Sequence, residues 1–136
     1  MSSIEENKKH LFVVPQLAIK AANKGYVDKY PIAHYVKGSN GNGDEFENWT
    51  LYFGGGTFFA SDFDKHIPAP TYAEIVDWFR GKHSILIKID PCELTVFYAW
   101  IRDCRNGKNK IVYDSPLTND YYEALNKAIE RAFELI

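Results

Sequence analysis

The chain has 136 residues, with 16 Lys plus Arg against 18 Asp plus Glu and a net charge of −2. A chain of this length can bury about two-thirds of its unfolded surface, enough for one ordinary core, while the charge offers no global attraction for a polyanion, so a nucleic-acid contact would need a local basic patch. The two cysteines, Cys92 and Cys104, make neither a disulfide scaffold nor a zinc knuckle by number and spacing, and no apolar run approaches the ~18 residues of a membrane span.

The opening MSSIEENKKH mixes acids with lysines and precedes only the short apolar run Leu11–Val14, too short for a signal-peptide core. The expectation is a cytoplasmic protein, one α+β domain over 1–136, frayed over residues 1–9. Pro15 suits the first position of a helix and Gly25 the left-handed position after its end. The stretch between them predicts a first helix, with Val14, Ala18, Ala21 and Ala22 on one face.

The period then changes to two. Ile32, His34 and Val36 alternate with Ala33 and Tyr35, which predicts a strand. The Gly/Asn-rich run at 38–48 reads as a flexible, solvated loop. Trp49–Phe53 predicts a second strand, and Gly54-Gly55-Gly56 before Thr57–Phe59 suits a hairpin or a bulge. Pro68 and Pro70 close a loop. Thr71 and Glu74 form a capping box for a helix bearing Tyr72, Ile75, Val76 and Phe79 on one face, with Gly81 as its stop.

Three strands in meander order follow. Ile85, Ile87 and Ile89 line one face of the first, and Asp90–Glu93 is expected to turn the chain. Leu94–Ile101 is apolar on both faces, with Leu94, Val96, Tyr98 and Trp100 on one side, and reads as the central strand. Asn106-Gly107 supplies a type I′ turn into Ile111–Tyr113. Pro116 breaks the sheet. Asp120 and Glu123 cap a last helix with Leu125, Ile129, Ala132, Phe133 and Ile136 in one stripe and a Glu123–Lys127 pair on the wet side. The predicted architecture is α+β: one mainly antiparallel sheet of five or six strands, including the C-terminal meander, with three helices packed mainly on one face.

The segment Pro70-Thr71-Tyr72-Ala73-Glu74-Ile75-Val76-Asp77-Trp78-Phe79-Arg80-Gly81-Lys82-His83 resembles the proline, tyrosine, tryptophan-phenylalanine-arginine, lysine helix of small proteins encoded in Bacteroidales genomes and their phages or other mobile elements. Tyr121-Tyr122-Glu123-Ala124-Leu125 through Ile136 resembles their closing helix, and Leu17–Lys20, Gly25-Tyr26 and Ala33-His34-Tyr35 their opening. The resemblance implies a mobile-element setting and a recurring small fold. It assigns no catalytic residue, and the insertion at 38–48 is longer than the group's pattern.

Several constellations invite chemistry and are outweighed. Asp62, Asp64 and His66 alternate as metal donors would, without a fourth ligand nearby, and a solvated loop accounts for them. Gly54–Gly56 lacks the helix N-terminus and lysine of a phosphate loop. Cys104 beside Arg105 has no motif-spaced histidine. The expectation is no metal, no cofactor and no catalytic residue, with an enzyme or small-ligand module ranked last. Trp78, at the edge of its helix stripe, suits a partner anchor or a lid over the core. Arg102, Arg105, Lys108 and Lys110 surround the Asn-Gly hairpin, with Trp100 and Tyr98 on the strand leading into it, the combination that holds single-stranded nucleic acid by charge and stacking. Against that stands the ordinary polarity of hairpin ends. The 3 Trp, 9 Tyr and 9 Phe exceed what one small core hides, which favours a non-catalytic accessory protein contacting another protein or itself, with single-strand binding second and no membrane role.

Overall fold

In a computed structural model of the chain, the first helix, α1 (Pro15–Asn23), begins on the proline that the sequence places there. It ends in a Schellman turn: Gly25 has φ +96, its N–H reaches the Ala22 carbonyl at 3.2 Å, and the Tyr26 N–H reaches that of Ala21 at 2.9 Å. Its buried stripe is Leu17, Ala18 and Ala21 rather than one centred on Val14 and Ala22, which are half-buried, because Val13 and not Val14 enters the core. The structure describes residues 9–28, 32–37, 49–53 and 66–136; the Gly/Asn loop, Gly54–Phe59, Asp62 and Asp64 lie outside these, as does the predicted fraying before Lys9. Lys9–Leu11 forms a single 3-10 turn.

The chain divides into two compact units, residues 1–72 and 73–136. In the first, β1 (Ala33–Lys37) is central between β2 (Trp49–Phe53) and β3 (His66–Pro68), both antiparallel to it. Alternation fixes its faces: Ala33 and Tyr35 are buried, while Ile32 just outside the strand is exposed. The Tyr35 hydroxyl donates to the Val13 carbonyl, and burial, aided by Tyr72, pushes that phenol above its ordinary pKa. α1 packs against β3. The short strand β3 stands where the sequence predicts a loop closed by Pro68; proline is tolerated there because β3 is an edge strand among the described residues.

The second unit begins as α2 (Tyr72–His83) runs on from Thr71. Ile75 and Phe79 are fully buried. Gly81 does not stop this helix. A helical glycine costs only about 1 kcal/mol, and the left-handed turn falls three residues later at Ser84, φ 54, whose carbonyl accepts from Cys104 N at 2.9 Å.

The meander β4 (Ile85–Glu93), β5 (Val96–Asp103) and β6 (Lys110–Asp114) forms a second antiparallel sheet with β5 in the centre. Among the described residues there are therefore two three-stranded sheets in place of the single sheet of five or six strands, so helices on one face of one sheet is not the arrangement found. Alternation in the sequence marks most of the strands but not their partners, and the 66–68 strand pairs with β1 and with no strand of the meander. β4 also runs past Pro91 to Glu93, with a bulge there, so the turn is Leu94-Thr95 and Leu94 leaves the strand face assigned to it. Asn106 (φ 55, ψ 36) and Gly107 (φ 78) do form the I′ turn, closed by Lys108 N to the Arg105 carbonyl at 2.9 Å, but inside a six-residue loop, 104–109.

After Asp114 the chain bows away and rejoins β5, with Ser115 N on the Ala99 carbonyl at 2.8 Å and Thr118 paired with Phe97. α3 (Tyr121–Glu134) then packs Ala124, Leu125, Ala128, Ile129, Ala132 and Phe133 onto β4 and β5. Ile136 lies beyond it and is half-buried. Asp120 Oδ1 accepts from Tyr122 N and Glu123 N, both at 3.1 Å, while the Glu123 carboxylate takes Lys127 at 3.0 Å. Asp120→Ala should cost about 1 kcal/mol in chemical denaturation with the helix otherwise intact; an unchanged midpoint would show that this cap adds nothing.

Candidate functional site

The second sheet has two unlike faces. Ile85, Ile87, Ala99, Ile101 and Asp103 turn to the buried side. The register places Leu86, Lys88 and Asp90 opposite Arg102, Trp100 and Tyr98 on the other. There Trp100 is already engaged: its Nε1 donates to Asp90 Oδ2 at 2.5 Å, the Lys88 ammonium lies 6.0 Å from the ring centroid and the Arg102 guanidinium 5.4 Å from it. These are cation–π distances. Arg102 also donates to Asn109 Oδ1 at 3.0 Å.

The four basic residues of the predicted patch differ in role. Arg105 is committed inward. Its Nε and Nη2 reach the two oxygens of Asp103 at 3.0 and 2.9 Å, its Nη1 reaches the Leu135 carbonyl at 2.6 Å, and its backbone N–H adds a bond to Asp103 at 3.0 Å. These bonds hold the Asp103 carboxyl at about 2, below its ordinary value of 3.8, the side-chain bonds from Arg105 being the main cause. Lys108 and Lys110 are exposed on the loop and the start of β6. Asp90 and Asp114 sit on the same face as Lys88 and Arg102, since Asp114 is the register partner of Trp100, so two carboxylates offset two cations around the indole. Trp78 is half-buried, edge-on to His83 at 4.6 Å and 6.3 Å from Phe133, so its ring has packing partners within its own unit.

A surface that sequence reasoning missed lies at the end of this sheet. Leu94, in the β4–β5 turn, is 97% exposed, Leu117 60% and Tyr121 41%. Phe97, half-buried, meets the Tyr121 ring edge-on at 5.5 Å, and Tyr121 meets Tyr122 at 5.1 Å. The bowed segment 115–118 and the first turns of α3 enclose a neighbouring open pocket of about 200 Å³, with the Glu123–Lys127 ion pair on its wall. The signal for this corner was present as Leu117 directly after Pro116, but the pattern gives no reason for the chain to return to β5. Among the described residues, no group of three His, Cys, Asp or Glu side chains converges as a metal would require, and no helix is long and apolar enough to cross a membrane. No family model, curated protein or solved structure matches the chain.

Proposed function

We propose that this chain is a non-catalytic accessory protein, of the mobile-element kind its sequence resembles, that acts by contact with another protein. The observation that carries the reading is the exposed apolar corner of Leu94, Leu117 and Tyr121 beside Phe97. Leu94 follows the end of β4, Leu117 adjoins the Phe97–Thr118 pairing and Tyr121 meets Phe97 edge-on, and exposed apolar side chains with tyrosines beside them have the composition of an interface core.

Single-strand binding is the second reading, supported by the cations around Trp100. It ranks lower because a base stacking on the indole would displace cations already there, because two carboxylates share the face, and because Arg105 is held by Asp103 and Leu135. Leu117→Asp with Tyr121→Ala should weaken association of the protein at least tenfold, about 1.4 kcal/mol, with little effect on its fold. Retention of full association by that variant would refute the reading. Submicromolar oligonucleotide binding at physiological salt, weakened by Lys108→Ala with Lys110→Ala, would install the second in its place.

A further inference from the structure

Among the described residues, the second sheet has an edge without a strand beside it, and its own residues say what fits it. β4 is an outer strand, and among the described residues no backbone hydrogen bond reaches its outer side. Lys88, Pro91, Cys92 and Glu93 are exposed there, so the half of the strand next to the Leu94 turn is open. The direction of its backbone groups follows from β5. Phe97 and Ala99 turn their N–H and C=O groups toward Thr118 and Ser115, on the β6 side. Groups alternate along an antiparallel strand, so Tyr98 and Trp100 turn theirs toward β4, where they face Asp90 and Lys88. Ile87, Ile89 and Pro91 are left pointing their main-chain groups outward.

We propose that the partner of this edge is β4 of a second copy, paired antiparallel about a two-fold axis at Ile89. This rests on the protein-contact reading and names a second copy of the chain as the partner. The charges select the register. Centred on Ile89, Lys88 lies opposite Asp90 of the second copy and Asp90 opposite its Lys88, on one face, in pairs whose side chains approach most closely. Centred on Lys88, two ammonium groups would oppose each other; centred on Ile87, Lys88 would face a leucine. In the favoured register the two Ile89 residues exchange both backbone hydrogen bonds, each Ile87 N–H donates to a Pro91 carbonyl of the other copy, and Pro91, having no N–H, ends the ladder. The result is a closed, isologous dimer with a continuous six-stranded sheet, which uses up the exposed edge without open-ended growth.

The test uses the full chain. Light scattering should give twice 15.6 kDa at micromolar concentration. Lys88→Glu should raise the dimer dissociation constant about tenfold or more, and adding Asp90→Lys should restore it, a rescue that a merely destabilised fold would not show. Ile89→Cys combined with Cys92→Ser should give a disulfide-linked dimer under mild oxidation, because the axis brings those two positions to about 5.5 Å between Cα atoms, and Lys88→Cys in the same background should cross-link far less. A monomeric mass at all concentrations overturns the proposal, as does a dimer indifferent to Lys88→Glu. Either result leaves the apolar corner to be judged by its own variant, Leu117→Asp with Tyr121→Ala, against whatever protein it associates with.

Discussion

Replacing Asp103 by Asn should destabilise the protein by about 2 kcal/mol at neutral pH, and the difference between variant and wild type should vanish in acid. Asp103 is the one buried charged residue among those described, with 6% of its side chain exposed, and Arg105 supplies three hydrogen bonds to it while tying the Leu135 carbonyl at the end of α3. The carboxyl is held at about 2 against an ordinary 3.8. A lowered folded-state pKa means that the unfolded chain binds the proton first as pH falls. The stabilisation is therefore complete above about pH 5 and is lost as pH falls through about 2, and a shift of that size corresponds to about 2 kcal/mol. Urea unfolding at pH 7 and pH 2 gives both numbers. Arg105→Lys keeps the charge but loses the fork that binds both carboxylate oxygens and Leu135 together, so it should fall between wild type and Arg105→Ala. A variant–wild-type gap that persists unchanged at pH 2 would locate the stabilisation in packing instead of charge.

That clamp also shows where sequence reading stops. Local chemistry was legible: Pro15 and Gly25 bracket α1, Asp120 caps α3, Asn106 and Gly107 take positive φ, and the isoleucines of β4 face the core, since each depends on near neighbours in the chain. Partner choice was not. Nothing in the spacing of Arg105 shows that it answers Asp103 and a carbonyl 30 residues away, so it reads from the sequence as a surface cation. The same blindness joined the two sheets into one, because alternation reports that a strand is half-buried and is silent about which strand lies beside it. The polar face of β4 fared similarly: Asp90 reads from the sequence as the start of a turn, whereas the register sets it, with Lys88, beside Trp100. Gly81 illustrates the opposite case, a strong local signal overridden when the following residues continue the helix to His83.

The other large effect is expected in the aromatic contact between α2 and α3. Phe79 is fully buried and its ring lies 4.9 Å from that of Phe133 at an interplanar angle of 65°, an edge-to-face geometry that aligns the positive ring edge with the negative face. Trp78 and His83 flank the pair, with Trp78 5.0 Å from Phe79 and His83 6.1 Å from it, so little can collapse into a space left there. Phe79→Ala should accordingly cost about 3 to 5 kcal/mol, a large share of the 5 to 15 kcal/mol that holds an ordinary domain together. Phe79→Leu retains most of the volume and should cost clearly less. A cycle of Phe79→Leu and Phe133→Leu isolates the ring–ring component, expected at about 0.5 to 1.5 kcal/mol. If Phe79→Ala unfolds within 1 kcal/mol of wild type, or the cycle closes additively, then α2 is held by Ile75 and its backbone connections rather than by the aromatic pair, and the stripe that the sequence marks at Ile75, Val76 and Phe79 is an amphipathic face without a dominant anchor.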